Sequence, residues 1–123
     1  MFEAKIVFID PLHVSDFIIS FIKNLKESGV INSNGGILLG FDYASYNVSI
    51  NHIPGHDSPD KKAALKVMDM IYTVFQDQSA IYKVRYSKDD LKWNPGTVER
   101  NFTLYGNEGG VTSMGIILSG INQ

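Results

Sequence analysis

The chain has 123 residues, of which 44% are hydrophobic and 20% are charged, and its 13 acidic and 11 basic residues give a formal net charge of -2. This length suits one domain, spanning residues 1–123, with its own core, and the near-neutral charge argues against a generic polyanion binder. The absence of cysteine excludes a disulfide scaffold, a thiol nucleophile and a thiolate metal site.

The chain opens with features of a strand followed by a helix. Residues 3–9 are short and rich in β-branched and aromatic side chains, and Asp10 and Pro11 then supply a helix start. The apolar residues that follow recur at a helical spacing, so we predict a first amphipathic helix over 11–28. Gly29 is the residue expected to end it.

Two glycines, Gly35 and Gly36, precede a continuous apolar run at 37–39, which predicts a strand covered on both faces or a central one. Apolar and polar residues alternate over 48–52, so that segment is predicted to be the next strand. We expect the two strands to pair antiparallel, with the connecting turn at 43–46.

The second half predicts one more helix and three strands. Ser58 and Pro59 repeat the pattern of a capping residue followed by proline, and an apolar stripe at helical period extends through about Asp77. Residues 87–94 form the one long polar loop candidate. The predicted strands cover 80–87, 98–105 and 111–118. The order β-α-β-β-α-β-β-β predicts an α+β fold, with two amphipathic helices on a two-layer, mostly antiparallel sheet of about six strands.

The last predicted strand is apolar at positions that fall on both of its faces. Val111 and Ile117 alternate with Met114, Ile116 and Leu118, and such a strand would be an aggregation hazard as a bare sheet edge. We therefore expect a helix or a second copy of the chain to cover it. Self-association through the edge of this strand is the prediction that follows.

The segment Gly-Gly-Ile-Leu-Leu-Gly at 35–40, together with the β-α-β-β-α-β order, resembles the JAB/MPN (Mov34-type) metallo-isopeptidases. The resemblance implies a catalytic glutamate just before this strand, and zinc-binding His-x-His-Pro and Ser-x-x-Asp segments after the second helix. Ser33 or Asn34 stands at the glutamate position, and residues 80–86 contain no histidine. The resemblance therefore implies an inactive relative that acts by binding.

A metal site is the main catalytic alternative. His52 and His56 lie four residues apart across a Pro-Gly turn, and Asp57 and Asp60 follow closely. Imidazole nitrogens and carboxylate oxygens are ligands that suit zinc. The competing interpretation is that His52 ends a strand while His56 and Asp57 lead into a helix cap.

An anion site is the third possibility. A helix that begins at Ser58 would present free amides, with His56 before it and with Lys61 and Lys62 in its first turn. Cations are unfavourable at a helix N-terminus, so these lysines make local sense if an anion binds there. They would make equal sense if they pair with the neighbouring carboxylates.

Aromatic and basic residues also alternate in the second half and could form a stacking platform for bases. An ordinary sheet with one solvated side explains them as well, and the net charge of -2 does not favour nucleic acid. These residues are Tyr82, Lys83, Arg85, Tyr86, Arg100, Phe102 and Tyr105.

The sequence favours a non-catalytic binding or interaction module that self-associates, because no complete catalytic motif is present while apolar strands are abundant. We expect a homo-oligomer, with a protein partner or a small anionic ligand, and no cofactor. No signal-peptide pattern and no apolar run of about 18 residues occurs, so a cytoplasmic location without membrane contact is expected. The alternatives are a metal-dependent hydrolase, with zinc or another divalent ion, centred on His52, His56, Asp57 and Asp60, and a small anionic-ligand or nucleotide binder using residues 56–66.

Overall fold

The computed structural model describes most of the chain. The described residues are 2–9, 15–30, 32–33, 38–39, 43–49, 59–106 and 109–122. In chain order the elements are β1 (Glu3–Ile9), α1 (Ser15–Glu27), β2 (Asn32–Ser33), β3 (Leu38–Leu39), β4 (Tyr43–Ser49), α2 (Lys61–Ile81), β5 (Arg85–Lys88), β6 (Lys92–Asn94), β7 (Thr97–Tyr105) and β8 (Val111–Ser119). This order confirms the predicted α+β class.

The described strands form one antiparallel sheet in the order β2-β4-β1-β8-β7-β5, with β3 paired to β4 and β6 paired to β7. Strand β8 is central, because it pairs with β1 on one side and with β7 on the other. The prediction that its edge is exposed is therefore wrong. Apolar side chains on both faces indicate what covers a strand from above and below, and they carry no information about its lateral neighbours.

The two faces of the sheet differ in their surroundings. The face covered by the helices, the helix-covered face, includes the buried residues Ile6, Phe102 and Ile116. The Phe75 ring of α2 lies 4.8 Å from the Phe102 ring, and the Phe17 ring of α1 lies 5.4 Å from the Phe75 ring. Both helices thus belong to the layer on this side. No described helix covers the other side, which is here called the open face. It contains Glu3, Lys5, Val7 and Ile9 of β1, Thr97, Glu99, Asn101, Thr103 and Tyr105 of β7, and Val111, Ser113, Gly115, Ile117 and Ser119 of β8.

Helix α1 follows the predicted stripe, and its buried residues include Phe17, Phe21 and Leu25. The helix ends at Glu27, and Gly29 then adopts a left-handed φ of 75°, as expected of a residue that ends a helix. Of the predicted range 11–28, residues 11–14 lie outside the described part of the chain.

Helix α2 is displaced from its predicted bounds of 58–77, because it begins at Lys61 and ends at Ile81. A contact with helix α1 stabilises the extra turn, because the Ser20 hydroxyl of α1 donates a 2.8 Å hydrogen bond to the Gln78 side chain. That tertiary bond accounts for a polar residue buried where the sequence suggested a helix end. The strand predicted over 80–87 is correspondingly shorter, and β5 covers Arg85–Lys88.

Two turn or loop predictions are wrong as well. Residues 43–46 belong to β4, which pairs with β1 along its whole length, so no turn lies there. Leu38 and Leu39 do pair antiparallel, but with Ser45 and Ala44 of the predicted turn rather than with the predicted strand over 48–52. Residues 37 and 50–52 of the two predicted strands lie outside the described residues. The polar loop at 87–94 is partly strand, because β6 pairs with β7 around the turn at Gly96, whose φ is 75°.

Neither described helix has the length and apolar composition that crossing a membrane requires.

Candidate functional site

The predicted metal and anion segment is only partly described. His52, His56, Asp57 and Ser58 lie outside the described residues. Within the described ranges, no three His, Cys, Asp or Glu side chains come together as a metal site would require. The zinc prediction stays a prediction.

Asp60 caps helix α2. Its Oδ1 atom accepts a 2.8 Å hydrogen bond from the Ala63 N–H, and its carbonyl accepts a 3.0 Å bond from the Ala64 N–H. One of the free amides at this helix end is thus already satisfied. The cap residue is Asp60 rather than the predicted Ser58, which places the helix start after Pro59.

Lys61 and Lys62 are exposed in the first turn of α2. The Lys61 ammonium lies 5.3 Å from the centre of the Trp93 ring, a cation–π contact across to β6. The Trp93 side chain is 38% exposed, so it covers the end of α2 and contacts solvent as well. Binding of an anion at this helix end stays a prediction.

The possible stacking platform for bases does not form, because its aromatic side chains lie on different faces of the sheet. Tyr86 and Phe102 occupy the helix-covered face, where Phe102 is only 2% exposed, while Tyr105 lies on the open face. Tyr82 is in the turn that follows α2. The aromatic residues therefore do not share one exposed surface.

A shallow groove of about 370 Å³ crosses the open face. Its walls include Val7 and Ile9 of β1, Asn101 of β7 and Ile117 of β8, and Gly115 lies between them. A groove that combines apolar walls with a few polar groups is typical of a surface that binds another molecule.

Gly115 lines the groove next to Asn101. A Cβ atom at Gly115 would lie 2.9 Å from Oδ1 of Asn101, so the amide of the neighbouring strand occupies that space. Glycine inside a strand often marks a close approach of this kind. The signal was present in the sequence, since Gly115 interrupts an otherwise apolar strand.

Exposed apolar side chains surround the groove. Ile9 and Val111 are each 55% exposed, and Tyr105 is 36% exposed. Tyr105 and Val111 face each other across β7 and β8, and the Arg85 guanidinium lies 5.8 Å from the Tyr105 ring centre. Apolar residues thus extend from the groove to one end of the open face.

Opposite charges flank the centre of the open face. Lys5 and Glu99 both pair with Ile117, one from each neighbouring strand. Because adjacent strands are about 4.8 Å apart, the Cα atoms of the two residues lie roughly 10 Å from each other across β8. They form no ion pair with each other; in the described part of the chain the ion pair observed joins Lys23 to Glu27.

A second polar cluster lies between α2 and the sheet, on the helix-covered side. The hydroxyls of Tyr72 and Tyr86 are 2.7 Å apart, and the Lys88 Nζ atom donates a 3.3 Å hydrogen bond to the Tyr72 hydroxyl. The Lys88 ammonium also lies 4.4 Å from the Tyr72 ring centre. Sequence reasoning missed this cluster, because its members come from different elements and share no local motif.

The two phenols of this cluster are shifted in opposite directions. Burial raises the pKa of Tyr72, but hydrogen bonds from Tyr86 and Lys88 and the charges of Lys88 and Arg100 outweigh burial, and the pKa falls below 10.0. Burial and then the hydrogen bond to Tyr72 raise the pKa of Tyr86 to about 12. Tyr86 is therefore the donor and Tyr72 the acceptor as the pair approaches ionisation.

Comparisons of the chain with protein-family models, with curated proteins and with solved structures found no match. The JAB/MPN resemblance of the 35–40 segment stays a prediction. The geometry of the open face and of the tyrosine cluster is thus the basis for any statement about function.

Proposed function

We propose that this protein is a non-catalytic interaction module that self-associates through the open face of its sheet. The observation that carries the proposal is the contrast between the two faces: two helices cover one, while the other exposes Ile9, Val111 and Tyr105 around a groove. Clustered apolar side chains on one surface are typical of interaction sites.

A second copy of the chain is the partner that the charges favour. Consider two sheets stacked by their open faces, with a twofold axis parallel to β8 and midway between them. This axis would place Lys5 of each subunit opposite Glu99 of the partner subunit, because the two residues flank Ile117 symmetrically. Isologous contacts require this kind of self-complementary surface. Two stacked sheets lie about 10 Å apart, a spacing that the long Lys5 and Glu99 side chains can bridge.

In this proposal strand β8 takes part in self-association through its open-face side chains. Its edges, which are paired with β1 and β7, take no part. Its open-face residues Ile117 and Gly115 would lie at the centre of the contact, where apolar area is desolvated.

The lack of cysteine supports a reducing compartment such as the cytoplasm as the place where the protein works.

Charge reversal tests the proposal. The variants Lys5→Glu and Glu99→Lys each place like charges opposite one another, so we expect each to weaken association, whereas the double variant restores opposite charges and should recover it. Sedimentation velocity over a micromolar concentration series measures the dissociation constant. Lys66→Glu, an exposed lysine of α2, changes the net charge equally in the helix layer and should leave association unchanged.

Two outcomes would overturn the proposal. A wild-type chain that sediments as a monomer at every concentration excludes self-association. A dimer whose dissociation constant responds equally to Lys66→Glu and to Lys5→Glu would place the contact elsewhere on the molecule.

A further inference from the structure

The cluster formed by Tyr72, Tyr86, Lys88 and Arg100, here the tyrosine–cation cluster, lies on the side of the sheet away from the proposed interface. Helix α2 contributes Tyr72, β5 contributes Tyr86 and Lys88, and β7 contributes Arg100. The proposed self-association uses none of these residues. The cluster therefore calls for a separate explanation.

Positive charge in the cluster is not balanced by the described part of the chain. Neither Lys88 nor Arg100 forms an ion pair with a described carboxylate. The Arg100 Nε atom is buried and has no hydrogen-bond partner among the described residues. A buried charged donor without an acceptor is costly, and such groups are rare in folded proteins. The Arg100 side chain as a whole is only partly buried, so its charge remains available to an anion from solvent.

The aromatic rings hold the phenols in place. The Tyr72 ring stacks on the Phe102 ring at 5.9 Å, and the Tyr86 ring meets the Phe75 ring edge-on at 4.9 Å. Both rings are thus anchored in the core, while the two hydroxyls contact each other and the Tyr72 hydroxyl also contacts Lys88. Fixed donors of this kind bind a ligand without further ordering of their side chains.

The hydroxyl pair leaves one proton available. Two phenols that share a single hydrogen bond use one O–H as the donor, so the second O–H can donate to another molecule. Either hydroxyl can be the donor within the pair. The remaining proton therefore lies on one of the two adjacent oxygens, beside the Lys88 ammonium that contacts the Tyr72 hydroxyl.

We propose that the tyrosine–cation cluster binds a tetrahedral oxyanion of the phosphate class. The Lys88 ammonium and the Arg100 guanidinium supply positive charge, and the hydroxyl pair of Tyr72 and Tyr86 supplies a neutral donor. A tetrahedral anion presents more acceptor oxygens than a carboxylate does, which suits donors arriving from α2, β5 and β7. Asp69, one turn before Tyr72, and Asp89, next to Lys88, are both exposed, and Glu99, next to Arg100, lies on the open face.

Calorimetric titration of the full chain at neutral pH with inorganic phosphate tests the site, and sulfate, methyl phosphate and acetate are parallel titrants at matched ionic strength. Saturable binding of phosphate, with acetate weaker, is expected. A preference for methyl phosphate over inorganic phosphate would identify a phosphate ester as the natural ligand. Sulfate binding equal to phosphate binding would still support an oxyanion site.

Arg100→Gln and Lys88→Met should each weaken phosphate binding at least tenfold. Arg85→Gln is the matched control, because it removes one charge from the open face of β5, the strand that contributes Lys88. Lys88 is exposed, so its variant remains informative if Arg100→Gln does not fold. No saturable binding, or binding that survives Lys88→Met and is lost in a Lys61→Met, Lys62→Met double variant, would overturn the proposal.

A spectroscopic signature accompanies binding at this position. An anion beside Tyr72 disfavours the tyrosinate, so phosphate should raise the apparent pKa of the first tyrosine to ionise in an absorbance titration. Tyr72→Phe should abolish that response. A purely structural cluster would give the same titration with and without phosphate.

Discussion

At the scale of single residues, Tyr72 and Tyr86 show how one hydrogen bond separates two identical side chains. Their hydroxyls are 2.7 Å apart, yet the pKa of Tyr86 is raised to about 12 while that of Tyr72 is lowered from 10.0. The Lys88 ammonium approaches Tyr72 and hydrogen-bonds its hydroxyl. The difference between the two phenols is therefore set by position rather than by residue type.

The pair predicts a two-part dependence of stability on alkaline pH. The lowered pKa of Tyr72 adds stability as pH rises toward 10.0, the unfolded value, because the unfolded chain then binds the extra proton. The raised pKa of Tyr86 gives stability that is complete below pH 10.0 and is lost as pH rises through about 12. We expect the free energy of unfolding, measured in urea, to show both trends in the wild type.

Tyr86→Phe should remove the loss between pH 10.0 and about 12 and should also diminish the gain below it, since Tyr72 loses a donor. Tyr105→Phe, on the open face, is the control that keeps both trends. If Tyr86→Phe and wild type lose stability in parallel over this range, the hydrogen bond does not distinguish the two phenols.

At the scale of elements, the start of α2 depends on one side chain. Asp60 accepts the Ala63 N–H at 2.8 Å, so Asp60→Ala leaves that amide without its capping partner. We expect a loss of about 1 kcal/mol in the free energy of unfolding, the usual cost of removing such a cap. Thermal or urea denaturation measures it.

Asp60→Asn is the matched variant, because asparagine caps helices about as well as aspartate. It should retain nearly all of the stability. Equal losses in the alanine and asparagine variants would show that the carboxylate charge near Lys61, rather than the cap, stabilises this helix end.

Elements with a strong local period were predictable, and elements determined by distant contacts were not. The apolar stripes of α1 and α2 identified both helices. The end of α2 was missed because the Ser20–Gln78 hydrogen bond joins residues 58 positions apart. The position of β8 was missed for a related reason: alternation identifies which face is apolar, whereas the order of strands depends on pairing between remote segments.

The two candidate surfaces could be predicted from the sequence even less well than the strand order. The open face combines residues of β1, β7 and β8, and no local pattern shows that Lys5 and Glu99 flank the same residue. The tyrosine–cation cluster likewise joins α2 to β5 and β7. Strand order decides both, and that order is a property of the whole sheet.

At the scale of the whole molecule, the adjacent residues Ile116 and Ile117 separate stability from association. Ile116 is fully buried beneath the helices, whereas Ile117 lies on the open face beside the groove. Successive side chains of a strand point to opposite faces, so these neighbours belong to different surfaces. Their substitutions should have different consequences if the open face is the interface.

Ile116→Ala should lower the free energy of unfolding by about 2–5 kcal/mol, because it removes buried methylene and methyl groups and leaves a cavity. The molecules that remain folded should keep the dissociation constant of the wild type. Ile117→Lys should do the reverse, since a lysine at the centre of a symmetric contact introduces two like charges that must be desolvated. Urea denaturation measures the first effect and sedimentation velocity the second. An Ile117→Lys variant that still associates as tightly as the wild type would exclude the open face as the interface, and the exposed Ile9 and Val111 would then need a partner other than a second copy.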